Sequence, residues 1–370
     1  MRDDTRIDFF ATALAEICAH SLIAPGKQLR WMVIANPAAG GFTMRSRWEK
    51  CRLALEKCVA AAKENPLREG CTPANTAVQY AFGLVTTEGP GSATKFANDL
   101  IDEAKANTVP IYILITAGGD GTSLEVLSAL YHASESVRSN MAVLRLPLGT
   151  GNDGADSPEL AGALELLISP SRVELTPALR LLTAPGGNAE SKGPFLAFNI
   201  LSVGLDAYVT HMTNKMKGKL PGDFYKLWVD IASLLYDRLY NVDFLDVKAL
   251  DGQGSEVRSF REKVLLLAVG VSGHRTYGSQ KKVLPDDRNV CAIRQMSLLR
   301  KLVFKEYCTT GKHIDEPESQ LFNAHRVEFT GDFPMLAQMD GETVLLQKED
   351  FPAAIELTDP VIPVLKLVGR

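Results

Sequence analysis

Apolar positions in the first half of the chain follow helical spacing and short strand-like runs in alternation. Residues 5–22 place Ile7, Phe10, Leu14, Ile17 and Leu22 near a helical repeat. They predict an amphipathic helix that packs on the body of the protein or on a second subunit. A membrane surface is the less favoured destination, because the polar side of this helix is not rich in Lys or Arg. Strand-like runs follow at 31–35, 81–86, 111–116 and 142–148, with helical stretches at 45–62 and 92–106 between them. A further helix is predicted where Leu124, Leu127, Leu130 and Tyr131 share a face. The β-branched run 111–116 has the character of a strand buried on both faces. Residues 63–80 are polar and turn-rich, as in a surface insertion. This strand, loop, helix alternation predicts an α/β domain built on a parallel sheet with helices on both faces.

The pattern changes after about residue 157. Ser157-Pro158-Glu159 has the form of a helix start, with a serine N-cap and proline in the first turn. Beyond it lie β-like runs at 172–183, 195–203, 242–250, 263–270, 326–330 and 335–346, separated by Gly, Asn and Asp turns, with one helix around 223–239. The expected organisation is a helical extension over 1–28, an α/β domain over 29–155 and a mostly β, sandwich-like domain over 156–349.

Composition narrows the function classes. The chain has 370 residues, 46% hydrophobic and 23% charged, as in ordinary globular proteins. A net charge of −4 speaks against nucleic acid as a partner and against attraction of the whole protein to an anionic membrane. Any membrane contact is therefore a local patch. The six cysteines, Cys18, Cys51, Cys58, Cys71, Cys291 and Cys308, form no C-x-x-C pair, so no zinc module is encoded and a reduced cytoplasmic setting is expected. Asp3, Asp4, Asp8 and Glu16 argue against a signal peptide, and no run reaches the ~18 apolar residues of a spanning helix. The six histidines show no ligand spacing.

Three loops carry candidate chemistry. Thr116-Ala117-Gly118-Gly119-Asp120-Gly121-Thr122 lies between a buried strand and a helix. Its glycines allow close backbone approach, and the helix N-terminus offers unpaired N–H groups, which suits phosphate. A bare Asp120 would repel phosphate, so its presence points to Mg²⁺ bridging the two or to positioning of an attacking hydroxyl. Leu146-Pro147-Leu148-Gly149-Thr150-Gly151-Asn152-Asp153 also fits G-x-G-x-x-G through Gly149, Gly151 and Gly154. A dinucleotide site is nonetheless disfavoured, because the next helix starts near Pro158 and Asp153 would face a pyrophosphate. The third loop, Asn36-Pro37 with Gly40-Gly41, is by itself an ordinary turn. No Walker A lysine follows it, which excludes a P-loop.

Together these segments resemble the diacylglycerol kinase catalytic-domain family, above all its compact bacterial lipid-kinase members. The matching motifs are N-P-x-x-G (36–40), V-T-T-E (85–88), G-G-D-G-T-x-x-E (118–125) and L-P-L-G-T-G-N-D (146–153), followed by F-N-x-x-x-x-G-x-D-A (198–207), L-P-D-D (284–287) and D-G-E (340–342). G-G-D-G-T is shared with NAD kinases and phosphofructokinases; its pairing with L-P-L-G-T-G-N-D and a late D-G-E is more specific to lipid kinases.

The resemblance implies an ATP- and Mg²⁺-dependent transfer of phosphate to a lipid hydroxyl, with diacylglycerol as the first expected acceptor. The alternative acceptors are a sphingoid base, a glycerophospholipid headgroup and NAD. A nucleotide-binding protein that has lost turnover is the rival from another class, disfavoured by the presence of Asp120, Asp153 and Glu342. ATP contacts are implied for Asn36, Gly40, Thr86, Gly118, Gly119, Asp120, Gly121, Thr122, Ser123, Leu124, Glu125 and Thr150. Asp120 and Asp153 fall to the Mg-phosphate centre and Glu342 to the general base. A structural Mg²⁺ is implied on the Asp287 carboxylate and the carbonyls of Leu284 and Asn289, although Arg288 stands where the family has glycine and Asn289 where it has an apolar residue. The family fold has a β-sandwich-like second domain, lipid entry between the domains, and a C-terminal tail, here about 350–370, returning to the first. The implied setting is the cytoplasm with peripheral contact at the inner face of a membrane; a homodimer is compatible with this. Asp340-Gly341 between alternating apolar runs is equally the signal of a type I′ hairpin, which could itself present Glu342. Lys215-Met216-Lys217-Gly218-Lys219 is either a solvated loop or a contact for lipid headgroups.

Overall fold

The computed structural model describes residues 4–64, 81–189, 193–216, 236, 242–278 and 281–368. The helix expected around 223–239, apart from Tyr236, lies outside them, as do residues 65–80 of the expected insertion and Lys217–Lys219 of the basic patch. The chain forms two compact units, residues 1–176 with 360–370 and residues 177–359. Among the described residues no helix is long and apolar enough to cross a membrane.

The first unit runs α1 (Asp4–Ala19), β1 (Leu29–Ala35), α2 (Gly40–Thr43), α3 (Arg45–Lys63), β2 (Ala81–Thr86), α4 (Ser92–Ala106), β3 (Ile111–Gly118), α5 (Asp120–His132), α6 (Glu135–Arg138), β4 (Met141–Pro147), α7 (Leu160–Ile168) and β5 (Ser171–Thr176). The last strand of the chain, β19 (Ile362–Leu367), returns to it. The sheet order is β2-β1-β3-β4-β19-β5, parallel throughout except for β5, which runs antiparallel to β19. Strands β3 and β4 are buried along nearly their whole length, which is why their sequence is an apolar run without alternation.

Helix α1 packs on the body, one of its two expected destinations: Phe10, Leu14 and Ile17 are fully buried in one core with Trp31, Trp48, Leu55 and Leu164. Phe10 meets Phe42 edge to face with ring centroids 5.2 Å apart. The apolar side of α1 is thus occupied within its own unit. The boundary falls at Thr176, not at residue 155, and the returning tail starts at Pro360, not near 350. The reason is pairing distant in sequence: β5 pairs with β19 from Ile362↔Thr176 to Leu367↔Ser171. The run 172–183 is accordingly two strands in different units, separated at Pro177, which has no N–H to continue a ladder. Helix α7 begins at Leu160 with Glu159 as its N-cap, two residues beyond the expected serine cap.

The second unit contains β6 (Leu179–Leu182), β7 (Phe195–Ala197), β8 (Ile200–Gly204), α8 (Leu205–Met216), β9 (Phe244–Leu250), β10 (Glu256–Gly270), β11 (Arg275–Tyr277), β12 (Lys281–Leu284), β13 (Val290–Arg294), α9 (Leu298–Thr310), β14 (Ser319–Phe322), β15 (Arg326–Thr330), β16 (Met335–Met339), β17 (Glu342–Leu346) and β18 (Ala353–Leu357). Strand β10 changes partners along its length. Glu256–Lys263 pairs with β9, and after an irregularity between Val264 and Leu266 the rest pairs with β8 and β13. That shift lets one strand serve two sheets. Residues from both, such as Leu201, Val203 and Leu267 with Val247, Phe329 and Ile355, fill one core. The alternate residues Ile200, Leu266 and Ala268 face a second core with Tyr208 of α8 and Phe304 of α9.

Candidate functional site

Because β1, β2, β3 and β4 are parallel, all four carboxyl ends lie along one edge of the sheet. The register aligns Ala35 with Thr86 on one side and with Ala117 on the other, and Gly118 with Pro147. From β1 the chain crosses to β2, whereas from β3 it crosses to β4 in the opposite direction. The loops after β1 and β3 therefore diverge, and such a switch point leaves a crevice where open α/β sheets bind ligands.

The glycines there are required by contact. A Cβ on Gly149 would lie 2.4 Å from the Cα of Gly119, so the loops after β3 and β4 touch backbone to backbone. A Cβ on Gly118 would lie 2.6 Å from Thr122 Oγ1. Gly41 donates its N–H to the Leu148 carbonyl at 2.8 Å, and Arg47 Nη1 donates to the Gly149 carbonyl at 2.8 Å. These bonds join the loop after β1 to the loop after β4. Asn36 donates from Nδ2 to Thr122 Oγ1 at 3.4 Å, and the Ser123 hydroxyl pairs with Thr116 at 3.0 Å. The side chains of Thr122 and Ser123 thus brace the loop from within. Gly121 differs: it is exposed, with nothing within 4 Å of a built Cβ. The first-turn N–H groups of α5, where Gly121 lies, have no carbonyl one turn earlier to bond.

Two carboxylates meet at this place. A Cβ on Gly151 would be 2.9 Å from Asp120 Oδ2 and 3.3 Å from Asp153 Oδ2, so both oxygens converge on one glycine. Asp120 Oδ1 accepts the Gly154 N–H at 3.1 Å. Burial, the largest influence, raises the Asp120 pKa; the Gly154 N–H and Arg145 oppose that shift, and the charge of Asp153 adds to it. Two carboxylate oxygens converging on one place fit a hard divalent cation such as Mg²⁺. The loop is held at its far end by Asp156, whose side chain is fully buried. It accepts from the Arg145 N–H at 2.7 Å, from Nε at 3.2 Å and from Nη2 at 2.7 Å. Sequence reasoning missed Arg145; the signal was a single cation inside an otherwise apolar strand.

The structure thus brings Asn36, Gly40, Thr86, Gly118 to Thr122, Thr150 and Asp153 to one edge of the first unit. Glu125 goes elsewhere. Its carboxylate accepts the N–H groups of Gly91, Ala93 and Thr94 at 2.9, 3.0 and 3.2 Å, stabilising the start of α4. It is spent on that helix and is not turned toward the loops.

Glu342 stands in the second unit, exposed, at the start of β17. The turn before it has φ of 46° at Asp340 and 104° at Gly341, as a type I′ hairpin requires. The buried Asp340 carboxylate accepts the backbone N–H groups of Phe198, Asn199 and Ile200. Asn214 donates to the Gly341 carbonyl at 2.7 Å, and Gly341 N–H donates to Gln338 at 3.2 Å. The F-N-x-x-x-x-G-x-D-A segment therefore seats the hairpin that carries Glu342, a role its residue types alone did not reveal.

The residues proposed for a structural Mg²⁺ do not form a fitting set. The Asp287 carboxylate is 97% exposed and bonded to His274 Nε2 at 2.9 Å. The Asn289 carbonyl already accepts from Gly270 N–H at 2.8 Å, while its side chain pairs with the backbone of Ala324. Arg288 turns away from Asp287 onto Asp286, and that hydrogen-bonded pairing lowers the Asp286 pKa.

Residues 30–169 match the diacylglycerol kinase catalytic domain. The probable lipid kinase YegS of Salmonella typhimurium is 28% identical over 230 residues, covering 61% of this chain and 66% of that protein. The probable lipid kinase YegS-like protein of Pectobacterium atrosepticum is 24% identical over 202 residues, covering 55% of this chain and 59% of its own length. The alignments thus span less than two thirds of the length of these relatives. Two solved structures from Bacillus anthracis str. Sterne, both described as diacylglycerol kinases (one of them provisionally), have TM-scores of 0.54 and 0.51 at 17% and 15% identity. Each alignment covers 90% of this chain, with 94% and 96% of theirs, and shows a shared fold. Residues 30–169, which include every glycine loop of the site, are similar to the diacylglycerol kinase catalytic domain.

Proposed function

We propose that the protein is an ATP-dependent kinase that transfers the γ-phosphoryl group to a lipid hydroxyl, with diacylglycerol, giving phosphatidate, as the first acceptor. The observation that carries this reading is the convergence of Asp120 and Asp153 on Gly151 beside glycine-lined loops at the N-terminus of α5. The names of the similar Salmonella and Pectobacterium proteins support a lipid as the acceptor.

Asp120 and Asp153 are the residues that would hold Mg²⁺, which when bound supplies positive charge to the phosphate oxygens. The first-turn N–H groups of α5 take phosphate oxygens, and the open space at Gly121 lets the nucleotide approach the backbone. Thr150 and Asn36 border the same loops. Glu342, on a hairpin tip pinned by Asp340, Gln338 and Asn214, is assigned to take the proton of the acceptor hydroxyl. Rigid seating matters because general-base catalysis depends on geometry before basicity.

The test is a panel of lipids in mixed micelles with radiolabelled ATP, run with and without Mg²⁺. The expected result is Mg²⁺-dependent label in one lipid class, lost in Asp120→Asn. Efficient phosphorylation of NAD with no label in any lipid would overturn the reading.

A further inference from the structure

Three polar residues stand abreast on a sheet face that is otherwise apolar. Ser202 of β8 is paired with Gln338 of β16, and Gln338 with Thr343 of β17. Ile200 and Leu336, two residues before the first two and so on the same face, belong to the core that Tyr208 of α8 joins. Ser202 and Gln338 are both 0% exposed. A buried hydroxyl or amide costs about 1–3 kcal/mol when its bonds are left unmade, so such a row needs partners.

The partners form a chain that runs from the hairpin to the first turn of α8. Gln338 Oε1 accepts the N–H of Gly341, the residue before Glu342, at 3.2 Å. Gln338 Nε2 donates to Ser202 Oγ at 2.9 Å, with longer contacts to the Ile200 carbonyl at 3.4 Å and Asp206 Oδ2 at 3.5 Å. Ser202 Oγ in turn donates to Asp206 Oδ2 at 2.8 Å. Farther along α8, Asn214 Nδ2 donates to the Gly341 carbonyl at 2.7 Å, and His211 Nδ1 pairs with Thr343 Oγ1 at 3.3 Å. The N–H and the carbonyl of Gly341 are thus both held, immediately before Glu342.

The sense of the chain is set at its far end. A carboxylate only accepts, so Asp206 takes the single Ser202 proton and leaves the Ser202 oxygen to accept. The Gln338 amide must then turn its NH₂ toward Ser202 and its oxygen toward the hairpin, which is what the Gly341 N–H requires. An asparagine at 206 could donate to Ser202 instead. The hydroxyl would then point at Gln338, and a reversed amide would set NH₂ against the Gly341 N–H.

We infer that Asp206 is a positioning residue for Glu342: it fixes the direction of the Ser202 and Gln338 bonds and so holds the turn from which Glu342 projects. This rests on the lipid-kinase reading and its assignment of Glu342 as the base, but the tie itself is measurable without turnover.

A double-mutant cycle of Asp206→Asn with Glu342→Gln tests it, read as turnover on a micelle-borne lipid and as affinity for Mg-ATP. Asp206→Asn should lower kcat at least ~10-fold with Mg-ATP affinity unchanged, because a small misplacement of a reacting group is costly. In the Glu342→Gln background it should lower kcat no further, since the two residues act as one unit. Thr210→Val removes a 2.7 Å bond between the same helix and the Tyr277 hydroxyl; it should lower the melting temperature and leave kcat unchanged. An unchanged kcat in Asp206→Asn, an equal loss in both backgrounds, or the same loss in Thr210→Val overturns the proposal. Amide hydrogen exchange reads the tie directly. Gly341 should exchange at least ~10-fold faster in Asp206→Asn and in Ser202→Ala, while Val247 and Phe329, paired in the other sheet, keep their wild-type rates. Unchanged exchange at Gly341 in both variants overturns the proposal as well. If wild type phosphorylates no lipid, the kinase reading falls, and the exchange rates alone decide whether Asp206 holds the hairpin.

Discussion

Asp156→Ala removes the acceptor from a buried ion pair and so tests how the L-P-L-G-T-G-N-D loop is held. Asp156 takes three N–H groups from Arg145, and the two side chains are 0% and 8% exposed. Charge-assisted hydrogen bonds contribute about 1.5–3 kcal/mol each, but bonds sharing one carboxylate are not additive. Taking one partner from a buried pair costs about 3–5 kcal/mol, because the remaining charge is left in a poorly solvating place. In a unit of this size each kcal/mol lowers the melting temperature by about 2–4 °C, so a drop of roughly 6–20 °C is expected. Urea unfolding at neutral pH, followed by circular dichroism, gives the free energy directly. Arg145→Met with Asp156→Leu should recover most of the loss, since apolar residues of similar volume replace such pairs at little cost. Because residues 148–153 hang from this anchor, Mg-ATP affinity should fall in the single variant. A change below about 1 kcal/mol in Asp156→Ala, or a double variant no better than the single, would refute the argument.

The other expectations concern the site itself. Gly121→Val should leave the melting temperature of the free protein unchanged, because its Cβ meets nothing, yet remove the stabilisation given by Mg-ATP; Gly149→Ala should destabilise the free protein, because its Cβ would meet Gly119. Asp120 has a raised pKa in the fold, so without Mg²⁺ its contribution is greatest below the unfolded carboxylate value and is lost as pH rises through the folded one; Asp120→Asn should abolish that component in denaturation at acid and neutral pH. Glu342→Gln should lower the catalytic rate at least ~100-fold with ATP affinity nearly unchanged, and normal turnover would remove it from the role of base. Glu125→Gln should cost about 0.5–2 kcal/mol through the weakened start of α4, read as lower thermal stability.

Much of the architecture was legible from local pattern. Strand β3 shows both-face burial as an unbroken apolar run, and its glycine loop leads directly into α5, so the α/β alternation and the phosphate-suited turn could be read together. The hairpin at Asp340-Gly341 was legible for the same reason, since its turn residues and flanking alternation are neighbours in the chain. The unit boundary was not, because it depends on Ser171 pairing with Leu367 across nearly the whole sequence.

The same division runs through the site. Which residues could serve chemistry is written in their types and order: glycines before a helix, acids beside them, an acid after a hairpin. Where each of them acts depends on the partner its charge finds. Glu125 is consumed by the start of α4, Asp156 by Arg145 and Asp340 by the backbone of Phe198 to Ile200, whereas Asp120 and Asp153 are turned toward the same glycine. Periodicity reports how a side chain faces its own element, which is a local property. The satisfaction of a buried charge is a contact between elements, and only the packed chain decides it.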